Sequence, residues 1–219
     1  MTLLYTPIDI EFDLPDQDDI VEWFEQNRIE DLGEWNFRDG EHEWALVATG
    51  QPVSDWRSVA PYASWQAQGY QHNPNNMTRY APGFTARFPG LFEAIECLPF
   101  REIGVVGMMR QLGEIDEHRD TYDLNEPQEP RRYLIYLTDP HHNTFWVRNG
   151  DQRQVVDIPD QTRVFAFNNS ETTHGALPPT GEKILLSVVG IIDAARHQAL
   201  LERSIALYGD YAIRSGHAY

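Results

Sequence analysis

Hydrophobic residues recur at helical spacing in three short segments of the chain. The predicted helices are residues 16–27, 89–98 and 193–209. Acidic residues crowd the first turn of the first segment, a proline opens the second, and Asp193 and Gly209 suit the N-cap and C′ positions of the third. The apolar stripes consist of Ile20, Trp23 and Phe24; Leu91, Ala94, Ile95 and Leu98; and Leu201, Ile205 and Tyr208. Each helix is therefore expected to bury one face.

Between the second and third helices the periodicity changes. Short runs rich in β-branched and aromatic residues alternate there with turn residues, and Asn149-Gly150 is a strong hairpin signal. The runs are residues 103–112, 132–138, 144–148, 163–167 and 183–192, with a further short strand at 44–49. Several short strands bracketed by helices predict a mainly β fold, an antiparallel β-sandwich or jelly roll with helical buttresses.

The length of 219 residues fits a single domain. We expect residues 1–99 to form a helical and irregular N-terminal elaboration, residues 100–192 the β core and residues 193–209 a C-terminal helix. Residues 50–86 have the least regular pattern, yet they are rich in aromatic side chains: Trp56, Tyr62, Trp65, Tyr70 and Tyr80. This segment is expected to pack down, either over a pocket or over a sheet edge.

The charge balance restricts the partners. The chain has 17 Lys+Arg against 34 Asp+Glu, a formal charge of −17, which repels nucleic acid and anionic membrane surfaces. The longest strongly apolar stretch, residues 184–192, is half the length that spans a bilayer, and the N-terminus lacks the features of a signal peptide. A cytoplasmic location is therefore expected. Cys97 is the single cysteine, which excludes a Cys-rich zinc site, and its apolar surroundings predict a buried, inert thiol.

The segment that carries chemistry is the motif His118-Arg-Asp120. Residues two apart on a strand point to the same face, so this imidazole and this carboxylate can aim at a common point. His174 follows after a turn-rich stretch of asparagines and threonines. Two histidines and one carboxylate on one face of a metal form the facial triad typical of non-haem iron(II) oxygenases, which leaves open positions for a cosubstrate and O₂. The lack of thiolate ligands argues against a structural zinc site.

Lys183 follows His174 by nine positions and opens an apolar strand. A cation that enters an apolar interior is costly unless it meets an anion. A bound dicarboxylate would supply one.

These residues resemble the 2-oxoglutarate- and iron(II)-dependent dioxygenases, over roughly residues 100–192. The resemblance implies a double-stranded β-helix, with His118, Asp120 and His174 as iron ligands, Lys183 as the anchor for the far carboxylate of 2-oxoglutarate, and Gly113 as a fitting residue before the motif. The order of motifs looks most like the aspartyl/asparaginyl β-hydroxylase branch, whereas a lysine anchor resembles the prolyl hydroxylases. The anchor could instead be an arginine: Arg132, Arg148 or Arg163.

The implied reaction is oxidative decarboxylation of 2-oxoglutarate coupled to hydroxylation of a C–H bond in a small molecule, an amino acid or a peptide side chain. The presence of Asp120 favours hydroxylation over halogenation. One alternative is a non-catalytic, cupin-like module that binds a metal or another ligand and needs no basic residue facing a pocket. A zinc hydrolase that uses the same triad would need a general base beside the metal. The position of the Lys183 ammonium discriminates between the enzyme and the module.

Overall fold

The structure is a computed structural model, which describes residues 2–29, 41–49, 71–72, 79–120, 131–169 and 171–215. The helices within these ranges are α1 (Gln17–Asn27), α2 (Phe84–Arg87), α3 (Pro89–Cys97) and α4 (Ala194–Tyr208). The strands of the same ranges are β1 (Leu3–Ile8), β2 (His42–Thr49), β3 (Gln71–His72), β4 (Arg79–Tyr80), β5 (Phe100–Gln111), β6 (Ile115–His118), β7 (Arg131–Tyr136), β8 (Phe145–Asn149), β9 (Gln152–Val155), β10 (Val164–Phe167), β11 (His174–Ala176), β12 (Ile184–Ile192) and β13 (Ile213–Arg214).

Two antiparallel sheets face each other. The larger sheet has the order β13-β1-β10-β7-β12-β5-β2-β4-β3, and the smaller sheet has the order β6-β11-β8-β9. Consecutive strands between β5 and β12 fall alternately in the two sheets, apart from the β8–β9 hairpin, which turns at Gly150 with a φ of 62°. The prediction of a mainly β fold with two antiparallel sheets and flanking helices is confirmed.

The two faces of the larger sheet bury different sets of side chains. On β7 and β12 the residues Ile135, Leu186 and Val188 pack beneath the helices, whereas Leu134 and Leu185 point toward the smaller sheet. This alternation follows from the period of two along a strand. The space between the sheets, called the barrel below, is therefore lined by every second residue of these strands.

Several polar strands do not follow the apolar pattern from which strands were predicted. β6 and β9 are short and polar, and all four residues of β9 are exposed. β11 has only three residues, and β1 was not anticipated although its Tyr5 pairs with Phe167 of β10. Strands β1 and β2 both belong to the larger sheet, so residues 1–99 contribute to it directly.

The predicted helices are present, but their details differ. Helix α4 begins after its N-cap Asp193, whose side chain accepts hydrogen bonds from Ala195 and Arg196, yet Gly209 has right-handed dihedral angles and leads into a 3₁₀ turn. The buried positions of α4 are Leu200 and Ser204, one residue before the predicted stripe. No helix in the described ranges has the length and apolar character to cross a membrane.

The prediction for Cys97 was wrong. Its thiol is exposed, because Cys97 lies at the end of α3 outside the face formed by Leu91, Ala94 and Ile95. Most of the aromatic segment 50–86 lies outside the described residues. Its Tyr80 is buried, stacks on Phe84 and donates a hydrogen bond to Glu96.

Candidate metal centre

The smaller sheet brings His118 and His174 side by side. His118 ends β6, His174 begins β11, and the two residues are direct partners in this antiparallel pair. Their ring centroids are 4.4 Å apart. Asp120 follows two residues after His118, and its backbone N–H donates to the carbonyl of Asn169 in the turn before β11. The turn and the strand pair together place the three side chains at one end of the barrel.

The three side chains converge on a common point. Oδ1 of Asp120 lies 3.7 Å from Nε2 of His118 and 3.7 Å from Nε2 of His174. One ligand atom from each residue lies within 4.8 Å of the others, and within the described part of the chain this is the one histidine and carboxylate group close enough to hold an ion. Atoms about 2.1 Å from one ion are at most about 4.2 Å apart. A small inward movement of the side chains would therefore bring all three ligand atoms within bonding distance of one ion.

Both imidazoles present the same nitrogen to this point. Nδ1 of His118 is 2.7 Å from the carbonyl of Asp116, and Nδ1 of His174 is 2.9 Å from the carbonyl of Thr172. A carbonyl only accepts, so each Nδ1 carries a proton, and Nε2 is the nitrogen that each ring directs at Asp120. Backbone carbonyls that hold the far nitrogen of a histidine are the usual support of metal-binding imidazoles.

Burial favours the neutral, metal-binding form of the His174 imidazole. Its side chain is 3% exposed, and Phe145 and Phe167 surround it, with ring centroids 5.7 and 4.6 Å from its own. Burial lowers the pKa of His174 to about 4, although the carboxylate of Asp120 acts in the opposite direction. The imidazole is therefore neutral near pH 7, which is the form that coordinates a metal.

Arg132 contacts the remaining oxygen of Asp120. Its guanidinium nitrogen Nη2 lies 3.3 Å from Oδ2, and the Asp120 side chain is 8% exposed. Arg132 lies on β7 and faces the barrel, opposite Val189 of β12. The pair leaves Oδ1 directed at the two histidines. The structure places this guanidinium on the carboxylate of Asp120, and the sequence-based assignment of Arg132 as a cosubstrate contact stays a prediction.

Lys183 lies in the barrel next to Tyr136. It is 2% exposed, and its ammonium is 5.8 Å from the centre of the Tyr136 ring. Nζ donates a 3.4 Å hydrogen bond to Oγ1 of Thr144, whose hydroxyl donates in turn to the carbonyl of Leu177. Among the described residues no carboxylate lies within ion-pair distance of this ammonium. Burial lowers the pKa of Lys183 to about 7.

The composition of the chain makes the burial of Lys183 unusual. Lys183 is the only lysine among the 219 residues, so the remaining 16 basic residues are arginines. The composition therefore also singles out Lys183. Leu185 of β12 lies opposite Tyr136 and Val189 lies opposite Arg132, so the backbone of Lys183 is six residues along the sheet from Arg132, or about 20 Å.

The other arginines proposed as anchors have different contacts. Arg148 lies on the outer face of the smaller sheet and forms a bidentate ion pair with Glu117. Arg163 donates to the carbonyl of Thr138. His141 and His142 lie in a short 3₁₀ turn, and the His141 side chain is 76% exposed. These residues are not part of the triad group.

Comparison of the sequence with protein-family models and with curated proteins finds no match. Comparison with solved structures finds a prolyl-4-hydroxylase from Pseudomonas putida at 12% identity, with a TM-score of 0.43, 87% of this chain covered and 94% of that chain. A prolyl hydroxylase from Trichoplax adhaerens, in complex with a hypoxia inducible factor peptide fragment, also has 12% identity and a TM-score of 0.43, with coverage of 84% and 78%.

A 2OG-Fe(II) oxygenase family oxidoreductase from Burkholderia pseudomallei is similar at 12% identity and a TM-score of 0.38, with coverage of 82% of this chain and 92% of that chain. These values are too low to transfer a function, which is therefore inferred from the site itself.

Proposed function

We propose that the protein is an iron(II)- and 2-oxoglutarate-dependent oxygenase that hydroxylates a C–H bond of a small molecule, an amino acid or a peptide side chain. The convergence of His118, Asp120 and His174 at one end of a barrel carries the proposal. Two imidazoles and one carboxylate without a thiolate suit iron(II), and three ligands leave positions for other molecules.

The residues around the triad fit a resident metal. Both Nδ1 atoms are bound to backbone carbonyls, so the imidazoles cannot turn away without losing a hydrogen bond. Arg132 holds one oxygen of Asp120 and favours coordination through the other. Bound iron(II) would supply the oxidative chemistry, together with O₂ and 2-oxoglutarate. The protein's own residues position these partners.

Lys183 supports the cosubstrate assignment. A buried cation whose partner among the described residues is one neutral hydroxyl gains most from a ligand carboxylate. Its barrel-facing position is the one expected of an enzyme rather than a non-catalytic module. Lys183 and the hydroxyl of Thr144 would receive the far carboxylate of 2-oxoglutarate, while the other end of that molecule lies toward the triad.

The aromatic side chains have a separate role. Phe145 and Phe167 pack on the imidazole of His174, and Phe165 packs on both Phe145 and Tyr136. Such an apolar lining disfavours water between the triad and Lys183. A dry interior strengthens the interaction of the lysine with an anion and protects a reactive centre from side reactions.

The experiment is an anaerobic titration of the metal-free protein with iron(II) and then 2-oxoglutarate, followed by visible absorption. We expect a weak charge-transfer band on addition of 2-oxoglutarate, and formation of succinate after O₂ is admitted. His174→Ala should lose both signals. The matched control, His141→Ala, removes an exposed histidine and should keep both.

A different result would overturn the proposal. Iron binding without a spectral response to 2-oxoglutarate would exclude the cosubstrate and favour a metal-binding module. Tight binding of zinc(II), with hydrolysis of an ester or amide and no succinate, would favour the hydrolase. Equal signals in His174→Ala and the wild-type protein would exclude the triad as the metal centre.

A further inference from the structure

One turn of the chain contacts two of the three triad residues. It joins β10 to β11 and is called the β10–β11 turn below; its described residues are 168–169 and 171–173. The carbonyl of Asn169 accepts a 3.1 Å hydrogen bond from the backbone N–H of Asp120. The carbonyl of Thr172 lies 2.9 Å from Nδ1 of His174 and accepts its proton. The positions of these two carbonyls therefore influence where the carboxylate and one imidazole of the triad lie.

The residues that supply these two carbonyls are buried. Asn169 is 0% exposed and Thr172 is 2% exposed. A backbone that lies outside the strands has no sheet ladder to define its shape, and its buried polar groups need other partners. Because the carbonyls of Asn169 and Thr172 bind the triad, contacts at other atoms of the turn have to fix its conformation.

Asn168, the first residue of the turn, supplies such contacts through its backbone and its side chain. Its carbonyl accepts a 2.8 Å hydrogen bond from the N–H of Thr172, and its own N–H donates to the carbonyl of Leu4 on β1 at 3.2 Å. Its Oδ1 accepts a 2.8 Å hydrogen bond from Nη1 of Arg131 on β7. Its Nδ2 donates to Oε2 of Glu171 at 2.7 Å. One asparagine thus holds the turn together and ties it to two strands of the larger sheet.

The side-chain amide of Asn168 suits this double contact. A guanidinium only donates hydrogen bonds and a carboxylate only accepts them, so Arg131 requires an acceptor and Glu171 requires a donor. An amide presents one of each on a single planar group. An aspartate at this position would lack the donor, and an alanine would lack both groups. The side chain therefore has a specific chemical requirement, which a test can exploit.

The far end of the turn contacts the smaller sheet. The carbonyl of Thr173 accepts a 2.8 Å hydrogen bond from the backbone N–H of Arg148 on β8. The hydroxyl of Thr173 accepts a 2.9 Å hydrogen bond from Nε of Arg119, which lies between His118 and Asp120 in the chain. The β10–β11 turn therefore bridges the two sheets beside the triad, and Asn168 supplies its contacts with the larger sheet.

We propose that Asn168 is a positioning residue of the metal centre. Its side chain holds the β10–β11 turn in the conformation that orients Asp120 and His174 toward a common point. It acts through the carbonyls of Asn169 and Thr172. This role rests on the proposed function, because the point toward which the side chains are oriented is the place of the metal ion.

The test measures binding of cobalt(II) to the metal-free protein by visible absorption, because the cobalt(II) bands report the geometry of the ligands. Asn168→Ala removes both side-chain contacts of the turn. We expect about 10–100-fold weaker binding, the usual effect of losing a residue that orients a metal ligand, together with altered bands. Asn27→Ala removes an asparagine of α1 that donates to the carbonyl of Trp23, and this matched control should change neither. Equal affinity and equal bands in Asn168→Ala and the wild-type protein would overturn the role.

A compensating pair of substitutions separates positioning from a general loss of structure. Asn168→Asp keeps the acceptor for Arg131, but it removes the donor to Glu171 and brings two carboxylates together, so the cobalt(II) affinity should fall. Addition of Glu171→Gln restores a donor and an acceptor with their positions exchanged. The double variant should recover most of the affinity and the wild-type bands. No recovery, in a double variant that thermal unfolding shows to be folded, would refute the assignment.

A measurement on the metal-free protein distinguishes failure of this role from failure of the proposed function. The carbonyl of Thr172 favours the His174 tautomer with the proton on Nδ1, which ¹⁵N-histidine NMR detects, and His174→Ala identifies the signal. Asn168→Ala should shift the population toward the other tautomer, and Asn168→Asp with Glu171→Gln should restore it. If the wild-type protein binds no metal, the proposed function fails, and the tautomer still decides whether Asn168 orients His174. An unchanged tautomer in Asn168→Ala would then overturn that role.

Discussion

At the triad end of the barrel, buried charge is paired within the protein: Asp120 contacts Arg132, and each histidine donates to a backbone carbonyl. At the other end, Lys183 is buried beside a neutral hydroxyl and an aromatic ring. An ion pair offsets the desolvation free energy of a buried charge. A buried charge without such a pair destabilises the free protein by that amount. The triad end is thus preorganised, whereas the lysine end becomes favourable when an anion binds.

Replacement of the lysine should have the largest effect. Lys183→Met should weaken 2-oxoglutarate binding at least about a hundredfold, since removal of one partner of a buried charge pair costs about 3–5 kcal/mol. The same change should raise the stability of the free protein, because an unpaired charge leaves the interior. Leu185→Met, on the same face of β12, is the control and should leave the affinity unchanged. Calorimetry and thermal unfolding measure the two effects.

The sign of the stability change depends on pH. Because burial lowers the pKa of Lys183 from 10.5 to about 7, the unfolded chain binds more protons than the folded protein between these values. Wild-type stability should therefore rise with pH across this window. The advantage of Lys183→Met should be fully present below pH 7, on the order of a few kcal/mol, and should disappear near pH 10.5. A constant difference would show that the lysine is paired.

Removal of the arginine tests the paired end. Arg132→Gln should lower iron(II) affinity about 10–100-fold, the usual effect of losing a residue that orients a metal ligand. Arg101→Gln changes an exposed arginine that is paired with Glu102, and it should keep the affinity. Anaerobic calorimetry with iron(II) provides the measurement. Equal affinities would mean that Asp120 keeps its orientation without Arg132.

The pH dependence of cosubstrate binding sharpens the comparison. A bound dianion raises the pKa of Lys183 above 7, so binding above pH 7 requires uptake of a proton, and the dissociation constant should rise about tenfold per pH unit. Tyr136, the other titratable group at the lysine, stays neutral because burial raises its pKa. Since Lys183 is the only lysine, ¹⁵N-lysine labelling gives one Nζ signal that follows this titration directly. A flat profile from pH 7 to 9 would contradict the low pKa.

The smallest effect is expected from the backbone next to the triad. A Cβ at Gly175 would lie 2.6 Å from the carbonyl of Ile115 and 2.7 Å from the ring of Trp146. Gly175→Ala should push β11 away from β6 and cost about 1–3 kcal/mol of stability, with a modest loss of iron affinity. Gly209→Ala, where the nearest atom is 3.9 Å away, is the matched control. Denaturant unfolding distinguishes the two.

The sequence predicts those elements in which one face is apolar. The long strands β5 and β12 and the three helices follow this rule, whereas β9 has four exposed residues and β11 is only three residues long. Such short or polar strands are stabilised by pairing with neighbours, which a local pattern does not contain. Cys97 was placed wrongly for a related reason, since one turn at a helix end decides which residues face the core.

In the candidate site, too, some residues could be predicted from the sequence and some contacts could not. His118 and Asp120 could be proposed because they lie two residues apart, and Lys183 because it opens an apolar strand. The contact of Arg132 with Asp120 joins β7 of the larger sheet to the segment that follows β6 of the smaller sheet. A contact between segments of two sheets leaves no signal in the spacing of residues.

The triad also has a mechanical consequence. Strand β6 lies at the edge of the smaller sheet, and β11 is its neighbour in the described part of that sheet. A metal bound by residues of both strands would hold the end of β6 against β11. The backbone hydrogen bonds at the end of an edge strand are otherwise the first to open. The amide protons of residues 115–118 would then exchange with solvent more slowly in the metal-loaded protein, so that the ion would also stabilise this edge of the smaller sheet.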